Sequence, residues 1–373
     1  MSSSIKNINI TRKTVLVAPL DWGLGHATRC IPIIQELLHQ NFTVLLAADG
    51  NSAHLFGIEF PSLTILSLKG YQISYSKTQF FFKVKLFGQI PKILKAIKQE
   101  HTWLKQIIKE YAIDIVISDN RYGLYNSRIK SIFITHQLAI ETENAFTNWL
   151  VQKLNYRQIN KFDECWIPDE EAPFDFAGKL SHPKEMPVVP TKYIGILSRF
   201  KKDTAEKNID LLVLISGPEP QRTALENLML LQMTKFPLKM VLVRGLPGAS
   251  NKIINTNKEL QIFDHLPATE LNKLIQSSKI VIARSGYSTI MDLIALQQKA
   301  ILIPTPGQTE QEYLAKYLAA KKYFVAAQQR EFNLANQLNN FKSAELEILP
   351  PAENKKLRER IFVLENLNKV PLP

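Results

Sequence analysis

Two doubly wound α/β domains facing a central cleft are predicted by three features of this 373-residue sequence. Apolar strands and helical stretches alternate in two separate series. A proline-rich passage from Ile167 to Pro190, with Pro168, Pro173, Pro183, Pro187 and Pro190, interrupts the alternation between them. Glycine- and serine-rich turns stand where strands pass into helices, the place where open α/β sheets bind ligands.

The first series has strands near Val15, Val44, Ile65, Ile115, Phe133 and Trp166. Its opening strand, Thr14 to Leu20, runs into D-W-G-L-G-H-A-T-R, Asp21 to Arg29, and then into Ile31, Ile34, Leu37 and Leu38 at helical spacing. Gly23 and Gly25 sit at this crossing, where missing Cβ atoms let a ligand approach the main chain. His26 falls at the helix amino terminus, whose positive end disfavours an imidazolium, so its ring is suited to accept a proton. The alternative is a histidine that only hydrogen-bonds the loop or a bound phosphate. Asp21 either orients His26 or caps the turn. Two later strands end in S-D-N-R-Y-G, Ser118 to Gly123, and T-H-Q, Thr135 to Gln137, which brings Asp119, Tyr122, His136 and Gln137 to the cleft edge. Asp119 is a candidate second base or orienting group for His26, and each of these segments is otherwise an ordinary turn.

The second series has strands near Leu212, Val241, Ile262, Ile280 and Ile301. It opens with I-S-G-P-E-P-Q-R, a strand-to-helix turn in which Ser216, Gly217 and Arg222 are candidates for phosphate contact, although Pro218 and Pro220 remove amide donors. Arg244, at the end of the strand Met240 to Arg244, either neutralises diphosphate charge or is solvated. The strand Lys279 to Ala283 leads into A-R-S-G-Y-S-T-I-M-D-L, where free backbone N–H groups and hydroxyls converge at a helix start and suit a phosphate. The next strand, Ala300 to Pro304, ends in P-T-P-G-Q-T-E-Q-E-Y, whose Gln308, Glu310 and Gln311 are able to grip sugar hydroxyls beside it. The two turns together read as a nucleotide-sugar site.

This stretch is similar to the C-terminal half of the MurG-like glycosyltransferases, family 28, and of the related UDP-glycosyltransferases. The resemblance implies the GT-B fold: two Rossmann-like domains, here 1–197 and 198–350, with the final segment 351–373 crossing back as a charged helix. It implies that Ser285, Gly286, Tyr287, Ser288 and Thr289 hold the donor diphosphate, and that Asp292 takes the ribose hydroxyls in place of the usual glutamate. Gln308, Glu310 and Gln311 then take the donor sugar, and Phe263, His265 and Leu266, in I-F-D-H-L, take the place that binds uracil. Gly23, Gly25 and His26 resemble the G-x-G-H loop of the same enzymes, which faces the cleft between the two domains. From their own positions at the helix start and strand ends, His26 and Asp119 are the catalytic candidates and Tyr122, His136 and Gln137 the candidate acceptor contacts.

Composition agrees with a folded two-domain chain, at 45% hydrophobic residues. No apolar run is long enough to span a bilayer, and M-S-S-S-I-K-N-I lacks a signal-like segment, so a cytoplasmic protein is expected. Cys30 and Cys165 are far apart and suggest neither a disulfide framework nor a zinc site. Neither a D-x-D motif nor another metal signature occurs, and no cofactor is expected beyond the nucleotide sugar as substrate.

The balance is basic, with 46 Lys plus Arg against 34 Asp plus Glu. Much of the excess lies in Phe80 to Lys98, where lysines interleave with apolar residues. Such a run either rests on an anionic membrane surface, at the inner face of the cytoplasmic membrane, or is an amphipathic helix with Ile90, Leu94 and Ile97 in the core.

The function expected is transfer of a hexose or N-acetylhexosamine from a UDP-sugar to a hydroxyl acceptor, lipid-linked, in cell-envelope glycan synthesis, inverting and without a metal. Gly23 to Cys30 also resembles the start of the UDP-sugar hydrolases of nonulosonate synthesis, in which water is the acceptor. A nucleic-acid-binding protein with a degenerate sugar site ranks last, because no RNA or helix-turn-helix signal accompanies the basic charge, and no nucleic-acid partner is expected.

Overall fold

The computed structural model describes residues 12–71, 90–140, 145–246, 254–255 and 259–365. Strand β1, Thr14–Pro19, is buried from Val15 onward, as an unbroken apolar run requires inside a parallel sheet. Helix α1, Leu24–His39, lays Ala27, Ile31, Ile34 and Leu37 on the core. Then follow β2, Thr43–Ala48; α2, Gly50–Glu59; β3, Thr64–Ser67; α3, Ile90–Tyr111; β4, Ile115–Asp119; β5, Lys130–Ile134; α4, Ala145–Ile159; β6, Glu164–Ile167; and β7, Thr191–Tyr193. The sheet is parallel throughout, in the order β3-β2-β1-β4-β5-β6-β7. From β1 the chain winds outward through β2 and β3, then returns to β4 on the other side. A crevice therefore opens beyond the carboxyl ends of β1 and β4.

The second sheet repeats this plan. Its elements are β8, Ile209–Leu214; α5, Gln221–Met233; β9, Met240–Val243; β10, Ile254–Asn255; β11, Leu260–Phe263; α6, Ala268–Gln276; β12, Ser278–Ala283; α7, Tyr287–Ala295; β13, Ala300–Leu302; α8, Thr309–Ala320; and β14, Val325–Ala326. The order is β10-β11-β9-β8-β12-β13-β14, parallel except for β10. Here the switch falls between β8 and β12.

Two helices close the described chain, α9, Leu334–Ser343, and α10, Lys355–Glu365. Helix α10 returns to the first domain: Gln40 at the end of α1 donates to the Arg358 carbonyl at 3.0 Å, and Lys13 Nζ donates to the Leu364 carbonyl at 2.7 Å. Its buried Leu357, Ile361 and Leu364 belong to the same hydrophobic cluster as Ile31 and Ile34 of α1. That cluster also takes in Tyr287, Ile290 and Met291 of α7, so α1 and α7 join the two domains across the floor of the cleft.

Phe80 to Phe82 lie outside the described residues. In the described part of that lysine-rich run, Leu94 on α3 is exposed and Ile97 is half-buried, so Leu94 is not a core residue. Among the described residues, no helix is long and apolar enough to cross a membrane.

Candidate active site

The first half of the site is built at the β1/β4 switch. Gly23, at φ +106°, turns the chain into α1 without a side-chain cap, so the free N–H groups of the first turn face the cleft. His26 lies in that first turn, and Arg29, one turn later on the same face, is buried. Asp119 ends β4 and is fully buried. The three converge: His26 Nδ1 lies 2.8 Å from Asp119 Oδ1, and Arg29 grips both oxygens of Asp119 through Nε and a terminal nitrogen.

Burial alone raises the Asp119 carboxyl, but the charge of Arg29, with the hydrogen bonds from Arg29 and His26, outweighs it and holds the group well below the usual carboxylate range. Asp119 is therefore an anion that orients, not a base that takes up protons near neutrality. Burial, followed by the charge of Arg29, pushes His26 down, against the opposing pull of Asp119. A neutral imidazole whose Nδ1–H is donated to Asp119 leaves Nε2 as a bare acceptor, which is the form a general base needs. Asp21 does not take part: its Oδ1 accepts from the Tyr71 N–H at 3.3 Å.

The second half stands opposite, around α7. Gly286 leads into α7 with no side-chain cap, which leaves the N–H groups of its first turn free for an anion. Ser285 is buried and donates to the Gln311 carbonyl at 2.8 Å. Ser288 donates to the Gly25 carbonyl of the first domain at 2.9 Å, and Thr289 is half-buried beside it. Gln311 is braced twice, accepting from the Thr305 N–H at 2.9 Å and donating to Gln308 Oε1 at 2.6 Å. Asp292 accepts from the Ser198 hydroxyl at 2.6 Å, and burial raises its carboxyl to about 6 despite the nearby Arg199. Phe263 and His265 are half-buried and Leu266 is buried. Burial, then Arg199 and His54, lowers His265.

Several candidates are engaged elsewhere. The Tyr287 side chain is buried, donating to the Pro168 carbonyl at 2.9 Å and stacking on His136 at 4.2 Å, so only its backbone is left to a donor. Glu310 reaches across to His136 Nε2 at 2.8 Å instead of standing free in the sugar loop. Arg222 is paired with Glu219 and Glu226, and Arg244 with Glu226 and Asp264, at 2.5 to 2.7 Å, so neither offers an unmatched positive charge to a diphosphate. Ser216 and Gly217 are exposed at the loop tip, with Gly217 at φ +107°. Tyr122 stacks on Phe133 and donates to Asn155 Oδ1 at 2.8 Å, which makes it a packing residue of the first domain. Gln137 is held by its backbone, through Thr135 Oγ1 and Asn155 Nδ2.

The sequence reading passed over Arg29, Ser198 and Arg284. Arg29 stands three residues after His26, the spacing that sets two side chains on one helix face. Arg284 is buried and donates to the carbonyls of Pro304 and Gln221 at 3.1 and 2.9 Å, tying the loop that follows β13 to the start of α5. Its side chain follows directly on β12, but a buried arginine with carbonyl partners leaves no pattern in a single sequence.

Residues 221–363 match the glycosyltransferase family 28 C-terminal domain. An uncharacterized glycosyltransferase of Methanosarcina mazei is 26% identical over 326 residues, covering 81% of this chain and 82% of the relative. The UDP-N-acetylglucosamine--N-acetylmuramyl-(pentapeptide) pyrophosphoryl-undecaprenol N-acetylglucosamine transferase of Clostridium tetani is 24% identical over 282 residues, 75% of each chain. Among solved structures, the glycotransferase of kitacinnamycin superposes with a TM-score of 0.64 at 12% identity, over 95% of this chain and 94% of the other. MurG of Acinetobacter baumannii does so with a TM-score of 0.52 at 17% identity, over 94% of each chain.

Proposed function

We propose that the chain, whose residues 221–363 match the glycosyltransferase family 28 C-terminal domain and whose fold is that of MurG, is a MurG-like glycosyltransferase that transfers a sugar from a UDP-sugar to a hydroxyl of a lipid-linked acceptor, with inversion and without a metal. The observation that carries the reading is the His26–Asp119 pair at the β1/β4 switch, directly opposite the uncapped start of α7. His26 Nε2 takes the proton of the acceptor hydroxyl as its oxygen bonds to the anomeric carbon. The bond from that carbon to the diphosphate oxygen breaks, and UDP leaves with the electron pair. The first-turn N–H groups of α7 and the positive end of that helix stabilise the negative charge developing on the leaving group. Asp292, ionised at neutral pH, accepts from the ribose hydroxyls, and Gln308 and Gln311 present their amides to the sugar.

A lipid-linked acceptor is supported by the outer side of the first domain. Trp149, Leu150 and Leu154 of α4 and Leu94 of α3 are exposed, with Lys153 over the Trp149 ring and Lys98 and Lys161 around Leu94. Apolar side chains among lysines suit the surface of an anionic membrane, and we place the enzyme at its cytoplasmic face. The name of the Clostridium tetani relative, a transferase acting with a UDP-sugar, supports the donor.

The test is a thermal-shift screen against UDP, GDP, TDP and ADP, followed by UDP release from UDP-sugars with membrane lipid present. UDP is expected to raise the melting temperature, and His26→Ala to keep that rise while losing about 10²- to 10⁴-fold in turnover. No nucleotide response at millimolar concentrations overturns the reading. Stoichiometric release of free sugar without lipid assigns water as the acceptor and makes the enzyme a hydrolase.

A further inference from the structure

His26 Nδ1 has two neighbours that cannot both bond to it. Asp119 Oδ1, at 2.8 Å, requires a hydrogen on Nδ1; a terminal nitrogen of Arg29, at 2.9 Å, requires a lone pair there. The first arrangement leaves Nε2 bare and able to take a proton. The second places the hydrogen on Nε2, where it cannot act as a base. Whatever fixes the Arg29 guanidinium therefore chooses between a working and an idle His26.

The other terminal nitrogen of Arg29 lies 3.0 Å from His136 Nδ1. Arginine only donates, so His136 Nδ1 accepts and the ring hydrogen sits on Nε2. That Nε2–H points to Glu310 of the second domain at 2.8 Å. Tyr287, also from the second domain, lies flat on the His136 ring at 4.2 Å and 9°, and its own hydroxyl is anchored on the Pro168 carbonyl. Burial opposes ionisation of Glu310, but the hydrogen bond from His136 and the nearby positive charge of Arg29 hold its carboxyl below the usual value, so it is the anion that accepts. From Glu310 through His136, Arg29 and Asp119 to His26, each donor meets one acceptor. The charged or titratable groups facing His26 are Arg29 and Asp119, with His136 behind them; those facing His136 are Arg29, Glu310 and Tyr287.

We propose that Glu310 acts through His136 as a positioning residue that selects the base-competent tautomer of His26, so that the base is set only while the two domains are closed on each other. This rests on the reading of His26 as the base. When Glu310 withdraws, the His136 hydrogen is free to move to Nδ1, where it opposes Arg29. The guanidinium then turns toward His26 Nδ1. No covalent bond changes; one proton on each imidazole exchanges its nitrogen. The pairing links residues 174 positions apart and ties domain closure to catalytic readiness.

The experiment is side-chain ¹⁵N spectroscopy of the seven histidines in full-length protein labelled at histidine, above the imidazole titration range, with His26 and His136 assigned by substitution. In the wild type, His26 is expected to show a protonated Nδ1 and a bare Nε2. Glu310→Ala is expected to shift His26 toward the opposite tautomer, and Glu310→Gln, which keeps an acceptor oxygen, to restore it. His136→Gln, which can reach Glu310 but not Arg29, is expected to behave like Glu310→Ala. A His26 signal unchanged in Glu310→Ala and His136→Gln, with both variants melting cooperatively, overturns the proposal. The UDP thermal shift, read in parallel on the same samples, does not depend on the tautomer. Its absence sinks the transfer reading and leaves the spectroscopic result standing.

Discussion

Ser288 at the start of α7 donates its hydroxyl hydrogen to the carbonyl of Gly25 in the opposite domain, and a Cβ on Gly25 would stand 3.0 Å from that same hydroxyl oxygen. The loops that open α1 and α7 thus touch at a point where an extra atom would crowd the Ser288 hydroxyl. Gly25 is required here by closeness, whereas Gly23 is required by its φ of +106°.

Gly25→Ala is expected to separate the loops, lowering stability by about 1 kcal/mol and turnover with it. Adding Ser288→Ala should recover much of the stability, because the crowded oxygen is then gone. Thermal melts of the single and double variants decide; a double no more stable than Gly25→Ala would place the cost elsewhere.

Asp292 makes a pH prediction. Its folded carboxyl titrates at about 6, above its ordinary value, so the folded state binds the proton more tightly than the unfolded chain does. It therefore costs stability progressively as pH rises from the ordinary aspartate range through 6, and Asp292→Asn should raise the neutral-pH melting temperature. UDP affinity should move the opposite way, weakening as pH falls through about 6 and losing that dependence in Asp292→Asn. Calorimetric titrations at several pH values measure it.

Arg29→Ala would strand the Asp119 carboxylate in the core. A loss of about 3 kcal/mol is expected at neutral pH. Because the Asp119 carboxyl is held below its unfolded value, its stabilising contribution is full above the unfolded aspartate range and fades as pH falls through the lowered folded value. The variant should therefore be hurt most near neutrality, with the gap to wild type closing in acid. Urea melts across pH test this.

Arg222 and Arg244 share Glu226, and all but Arg244 of that trio are buried. Arg222→Ala is expected to cost about 3 kcal/mol of stability while changing UDP affinity less than twofold at temperatures where the protein is folded. A tenfold loss of affinity without loss of stability would return Arg222 to the diphosphate.

The fold was legible because its central strands are apolar on both faces and end in conspicuous turns. β1, β4, β8 and β12 are of this kind. β7, β10 and β14 were not legible: each is two or three residues at a sheet edge, too short to show a period and stabilised only by its neighbour. That His26 and Asp119 face the cleft was legible from their places at the start of α1 and the end of β4, which local sequence reports. The contacts of Glu310 with His136 and of Tyr287 with Pro168 were not legible, because these partners belong to the other domain. The packing of α1 on α7, with the bonds that Tyr313 and Tyr317 of α8 and Lys321 just after it make to Lys179, Asp175 and Pro173, brings those residues together, and no local spacing encodes it.

The return of α10 to the first domain has a consequence for biosynthesis. Leu357, Ile361 and Leu364 cover apolar surface of α1, and Lys13, just before β1, holds the Leu364 carbonyl across 351 positions of chain. A growing polypeptide would carry α1, and with it His26, without this covering until nearly the whole described sequence had left the ribosome. The nascent first domain is thus left with a bare hydrophobic stripe, a place for a chaperone to hold, and a message truncated before α10 yields a protein that is both inactive and sticky.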